Sequence, residues 1–260
     1  MGFSPGDRGQ VNDRALQDDL IRYLSDARLR AAPPESLKLT GGEAEKAQKF
    51  ARFLARRYYR DRLIRSFRYS RLFSSQTGRR AEGICDGKDF EAFLDQCVLG
   101  SVASARRAGE MAAAHLSPGE SLFPWWSSLM DYESAHLLQS ATTERAQPGE
   151  HYQRAVSATC QTFDWALPEM LPRLRRAETV GEEFRRSVTL LFSRTHMGKI
   201  YVVELDSNTA AVFGAADGSR TVEQIAETAG VAIQQAGEAL NNLAQVGAVE
   251  KPLGSLATGH

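Results

Sequence analysis

The 260-residue sequence predicts an α+β fold, mainly α-helical over residues 1–180 and closing with a β-hairpin and three short helices over 181–252. Three observations carry that expectation. Apolar residues recur at about 3.6-residue spacing through the first two thirds of the chain, the period changes to alternation at Ser187, and helical stripes with their own start and stop residues follow. A hydrophobic content of 42% allows one large core or two smaller ones. Lys plus Arg and Asp plus Glu both number 32, so the formal charge is zero and any basic surface must be local.

Residues 1–12 read as a loose opening. Leu16, Leu20 and Leu24 then share one helix face that Pro33 and Pro34 must end. From Glu43, the residues Phe50, Phe53, Leu54, Ile64 and Phe67 predict one long helix running to about Phe73. Glycines 78, 83 and 87 mark a loop, and Phe90, Phe93, Leu94 and Cys97 start a helix expected to reach Ala114, stopped by Ser117-Pro118-Gly119. Pro124 suits the first turn of the next helix, which carries Trp125, Trp126, Leu129, Tyr132, Glu133 and His136 and ends by Pro148-Gly149. Residues 152–163 read as a further helix. A domain boundary is expected near residues 179–183, and the tail 253–260 reads as disordered.

Val188, Leu190 and Phe192, then Ile200, Val202 and their neighbours Tyr201 and Val203, form two strand-like runs around a Thr195-His196-Met197-Gly198 turn. Asp206-Ser207-Asn208 offers oxygens to cap a helix, Gly218 suits its end, and Thr221-Val222-Glu223-Gln224 is a capping box. Gly230 stops that second helix; Ile233, Ala236, Leu240 and Leu243 stripe a third, and Gly247 follows it. Two strands and three helices in this order match a winged-helix arrangement.

The stretch from Val203 through Asp206-Ser207-Asn208-Thr209-Ala210-Ala211 to Asp217-Gly218-Ser219-Arg220-Thr221-Val222 resembles the PqqD-type recognition elements of ribosomal peptide natural-product pathways. One minor departure from their pattern is Ser207, between the acidic residue and Asn208. The resemblance implies that a precursor peptide adds to the edge of the strand Ile200, Tyr201, Val202, Val203, Glu204 and Leu205. It also implies a groove against the third helix at Ala236, Leu240 and Leu243. An exposed edge strand does supply unpaired N–H and C=O groups for such pairing; the alternative is that the same module packs on the helical part or contacts DNA. The third helix bears Gln234, Gln235, Glu238, Asn241 and Asn242 but no Lys or Arg, which disfavours DNA.

Ten arginines between Arg52 and Arg80 face a single acidic residue, Asp61; the block either holds a partner, with Arg56 and Arg60 as candidates, or pairs with carboxylates elsewhere. Trp125 and Trp126 are candidate interface anchors or core. Glu133-x-x-His136 is half of a di-iron bundle motif whose second copy is missing, so a buried hydrogen-bonded pair is the expected role. Cys85, Cys97 and Cys160 form no C-x-x-C pair, and no phosphate loop, nucleophile elbow or zinc cluster is found, so no catalytic residue or metal ligand is expected.

The whole chain, including the Pro-Trp-Trp-x-x-Leu-x-x-Tyr-Glu-x-Ala stretch from Pro124 to Ala135, is similar to the partner subunits of TIM-barrel multinuclear non-haem iron enzymes, the class containing MbnC and TglI. The resemblance implies a partner without catalysis or cofactor of its own, which presents a precursor cysteine to an oxidase whose iron sits in the barrel subunit. A standalone di-iron or haem-oxygenase-like enzyme, a nucleic-acid-binding regulator and a scaffold for another protein remain the alternatives. Acidic residues near the start and the lack of any long apolar run point to a cytoplasmic protein with no membrane partner.

Overall fold

The computed structural model describes residues 7–117, 123–146 and 149–252, with side chains from Asp13 onward; the expected disordered tail and residues 1–6 lie outside them. The fold is α+β. In chain order it comprises α1 (Asp7–Ser25), α2 (Ala27–Ala31), α3 (Gly41–Ser66), α4 (Ser74–Thr77), α5 (Lys88–Leu94), α6 (Val102–Leu116) and α7 (Trp126–Ala141). There follow β1 (Gln153–Arg154), β2 (Thr159–Phe163), α8 (Leu167–Arg175), β3 (Val188–Arg194) and β4 (Ile200–Leu205). Last come α9 (Ser207–Ala215), α10 (Val222–Ala229), α11 (Ile233–Gln245) and β5 (Val249–Glu250).

Several expectations about the helical part are corrected. Helix α1 begins at Asp7, inside the supposed loose opening, and its Leu16 and Leu20 are exposed while Tyr23 is the buried residue. Helix α3 starts at a Thr40–Glu43 capping box but stops at Ser66, and residues 70–73 form a separate 3₁₀ turn. It buries Ala51, Ala55, Tyr59 and Leu63, leaving Phe50 and Phe53 stacked on each other in solvent. The small Ala faces let α3 approach its neighbours closely, and that tertiary fit outranks the larger apolar residues beside them.

The helix expected from Phe90 to Ala114 is two helices. Between them the chain bridges back to α1 and α2: Leu99 N–H donates to Ser25 O and Ala27 N–H to Cys97 O. Ser101 then restarts the helix by accepting from the N–H of Ser104. Gly100 permits the turn at φ +82°, and a Cβ there would lie 2.1 Å from Thr143 Oγ1.

The largest correction concerns residues 152–163, which are strands and not a helix. β1 pairs with β5, while β2 pairs antiparallel with β3, Cys160 opposite Leu191. A dozen residues with a few apolar positions fit either period, and the partner strand 30 residues later decides the outcome.

The three-stranded antiparallel sheet has the order β2-β3-β4. It is the middle of three layers. Val188, Leu190 and Phe192 of β3 join the core made with α3 and α5 to α8, while Leu191 points the opposite way into a second core with α9, α10 and α11. On that second face Ser193 Oγ donates to Val246 O at 2.8 Å. Because β2 comes from residues 159–163, the expected boundary at 180–181 would divide one sheet, leaving β2 apart from β3 and β4.

Candidate functional site

β4 is an edge strand: among the described residues its only ladder is to β3. The phase of that ladder is set at the hairpin, where Thr195 N–H donates to the carbonyl of Lys199 directly opposite. Hydrogen-bonded pairs alternate with non-bonded ones in an antiparallel ladder. Ser193–Tyr201, Leu191–Val203 and Thr189–Leu205 are therefore the bonded pairs, and Ile200, Val202 and Glu204 turn their N–H and C=O outward. Among the described residues no backbone hydrogen bond is made on that outer side.

Local chemistry holds the edge in place at both ends. At the turn, Gly198 adopts φ +84° and donates to Thr195 O, and Lys199 N–H donates to Thr195 Oγ1 at 3.2 Å. At the other end Asp206 Oδ1 accepts from Thr209 N–H at 2.8 Å and opens α9. Val202 packs toward the helical layer and Leu205 toward the three-helix layer. Ile200, Tyr201 and Val203 are half-buried and belong to neither core. The Lys199 ammonium sits 4.5 Å from the Tyr201 ring centroid, and Arg186 bridges Glu204, at 3.1 Å, to Glu169.

The second half of the expected site is placed differently. Ala236 and Leu240 are fully buried and Leu243 nearly so, as core residues of the three-helix layer, so they do not line an open groove. The exposed side of α11 carries Gln234, Gln235, Glu238, Asn241 and Asn242. Its C-terminal end docks on the hairpin, where Gly247 faces Arg194 and Thr195. A concavity of about 560 Å³ lies instead between the segment 154–160 and α9, walled by Arg154, Val156, Thr159, Cys160 and Phe213. The sequence reading missed this feature because it took residues 152–163 as a helix.

The other candidates are resolved into structure. Trp125 and Trp126 are buried in a cluster with Phe73 and Phe123, and Trp126 Nε1 donates to Leu116 O at 3.2 Å. Arg56 donates to Cys85 O at 2.9 Å and pairs with Glu91, which Arg52 also holds at 2.6 Å. Arg62 donates to Ser140 O and lies over the Tyr58 ring, Arg71 pairs with Glu82, and Arg79 donates to His115 O. Much of the basic block thus fastens the helical layer, while Arg57, Arg60 and Arg65 remain exposed.

Glu133 and His136 do not form the expected pair. The buried Glu133 carboxylate accepts from Tyr69 N–H at 2.6 Å and Ser70 N–H at 3.3 Å, tying α7 to the turn after α3. Burial pushes its pKa up to about 7 despite these bonds. His136 Nδ1 is buried without a partner among the described residues, and burial with Arg68 nearby pulls its pKa down. Burial raises the thiol pKa of Cys85, Cys97 and Cys160, so none is set up as a thiolate nucleophile. Among the described residues no three His, Cys, Asp or Glu side chains gather in a metal-sized group, and no helix is long and apolar enough to cross a membrane.

No model of a known protein family matches this chain, and no curated protein does.

Proposed function

We propose that this chain is a peptide-binding partner subunit, whose β4 edge receives an extended segment of a ribosomally made precursor. The single observation behind the reading is the outward alternation of Ile200, Val202 and Glu204. Three N–H and three C=O groups stand unpaired beside the half-buried apolar side chains of Ile200, Tyr201 and Val203. Each such backbone bond contributes on the order of 1 kcal/mol net, and apolar side chains of the incoming strand add about 25 cal/mol per Å² buried. A three-stranded sheet followed by three helices, with this edge free, suits the winged-helix, PqqD-type recognition role. On this reading the helical layer docks on a TIM-barrel iron enzyme that oxidises a cysteine of the bound peptide, the iron belonging to that partner.

The test uses the full chain, because a fragment beginning at 181 would lack β2 and the sheet's second ladder. Fluorescence anisotropy of a labelled precursor peptide should show saturable binding. Val202→Pro removes an outward N–H and leaves the β3 ladder donors intact, so it should weaken binding by roughly a hundredfold while the protein stays folded. Thr162→Pro is the control. By the same alternation Thr162 points outward on the opposite edge, at β2, and binding should persist there. A folded Val202→Pro protein that binds like wild type sinks the edge mechanism. Should that variant unfold, N-methylation of alternate peptide amides asks the same question from the other side. Failure of a co-produced barrel enzyme to depend on this chain for cysteine oxidation sinks the partner assignment separately.

A further inference from the structure

We propose that the cleft between the 74–83 loop and the C-terminal end of α6 is a binding site for a small, polar phosphate monoester of the sugar-phosphate kind. The cleft measures about 520 Å³ and is walled by Ser74, Ser75, Arg79, Arg80 and His115, with Gly78 and Gly83 completing its surface. It shares no residue with the β4 edge and does not depend on the peptide-binding reading.

Charge is the first argument. Among the described residues two guanidinium groups line the cleft and no carboxylate does, while Glu82 on the same loop is held by Arg71 at 2.9 Å. Arg79 commits one N–H to His115 O at 2.8 Å, which explains that residue as a cap on α6 but leaves most of its fork free. Arg80 is exposed and makes no side-chain hydrogen bond or ion pair among the described residues, and the hydroxyls of Ser74 and Ser75 make none either. Guanidinium forks beside hydroxyl donors match the oxygens of a phosphate.

Rigidity is the second. Thr77 Oγ1 accepts from Arg79 N–H at 3.2 Å, and Ala81, Ile84 and Cys85 bury the next turn in the core. The arginines thus stand on a fixed base. A Cβ on Gly83 would come within 3.1 Å of His115 Nε2, so the imidazole rests against bare backbone. Burial and Arg79 hold His115 below its usual pKa, which keeps it a neutral hydrogen-bonding wall.

Lining chemistry then selects the ligand class. The volume exceeds that of a phosphate ion, so it admits an organic portion, yet among the described residues no aliphatic or aromatic side chain other than the imidazole lines it. Such walls suit hydroxyl groups and offer a nucleobase no apolar bed.

Titration calorimetry of the full chain at low salt, with ribose 5-phosphate, inorganic phosphate, ribose and AMP as probes, decides the matter. Ribose 5-phosphate should bind saturably, inorganic phosphate more weakly, ribose not at all, and AMP no more tightly than the sugar phosphate. Arg80→Gln should weaken the ester roughly tenfold and Arg80→Lys by an intermediate factor, since Lys keeps the charge and loses the fork. Both variants should melt like wild type because Arg80 is exposed. The proposal is overturned by absent saturation with every phosphate, by wild-type affinity in Arg80→Gln, by inorganic phosphate binding as tightly as the ester, or by AMP binding markedly more tightly.

Discussion

The two layers that flank the sheet are built by different means. The helical layer has an aromatic core, with Tyr59, Phe67, Phe90, Phe93, Trp126 and Phe192 buried together, and it encloses polar groups such as Glu133 and Gln139. The three-helix layer is assembled from Ala, Val, Ile and Leu around the single buried ring of Phe213. Its helices carry their own boundaries: Asp206 caps α9, the Thr221–Gln224 box opens α10, and Gly230 at φ +69° ends it. Caps also open α3 and α6 in the helical layer, at Thr40–Glu43 and Ser101, but which faces of its helices are buried is set by the distant surfaces they fit.

The sharpest way to break this contrast is at β3, which belongs to both layers. Phe192 meets Tyr132 and Phe163 at ring distances of 5.3 and 6.1 Å on the helical side, and Leu191 points to the other. Phe192→Ala should cost about 3–5 kcal/mol and Leu191→Ala about 2–5 kcal/mol. Both should shift a single denaturant transition. Two separated transitions, each sensitive to only one substitution, would show that the layers fold independently and that the sheet is not shared.

A pH series sharpens the same contrast, because the helical layer holds the buried acid. Glu133 has its folded pKa raised from 4.5 to about 7, chiefly by burial. Between those values the folded state keeps a proton on Glu133 that the unfolded chain has released, so this group's contribution to stability falls as pH rises through that window and levels off above it. The loss is on the order of 3 kcal/mol. Glu133→Gln keeps an acceptor for Tyr69 N–H and removes this contribution, so the wild-type urea midpoint should fall relative to the variant's across that window and lie below it at pH 8. The opposite slope from His115 and His136, whose folded pKa values are lowered, is common to both proteins and cancels in the difference. A wild-type midpoint that instead rises relative to that of Glu133→Gln over the window would mean Glu133 is ionised and paired.

Legibility followed the same division. β3, β4 and the ends of α9 to α11 were readable because alternation, caps and glycines act within a few residues. The buried face of α3 was not, since choosing Ala51 and Ala55 over Phe50 and Phe53 depends on helices packed from elsewhere. β2 was hidden because five residues of strand have no local signature strong enough to exclude a helix. The candidate site shows both outcomes at once. The strand 200–205 was visible, but its status as an edge required β2 to occupy the other side of β3, and the outward phase of Val202 required the register at Thr195 and Lys199. Ala236, Leu240 and Leu243 were read correctly as an apolar stripe, and a stripe that regular is consumed by the core before it can serve a ligand.

Glycine substitutions give the smallest expected effects and the finest test of how the three-helix layer supports the edge. Gly230 and Gly247 both follow helices at positive φ, +69° and +74°. Around Gly230 a Cβ meets nothing within 4 Å, so Gly230→Ala should cost only the left-handed strain, about 1 kcal/mol. At Gly247 a Cβ would lie 2.6 Å from Arg194 O and 2.8 Å from Thr195 Cα, and both neighbours are backbone of the hairpin that carries β4. Gly247→Ala should therefore cost about 2–4 kcal/mol, adding a forced backbone shift to the same strain. Thermal melts measure the difference, and peptide affinity at a temperature where both variants are folded measures its consequence. Gly247→Ala should also weaken binding, because moving Arg194 and Thr195 disturbs the ladder that aims Val202 outward, whereas Gly230→Ala should not. Equal melting points for the two variants would mean that α11 and the hairpin yield to each other freely, and that the edge draws no rigidity from the helix behind it.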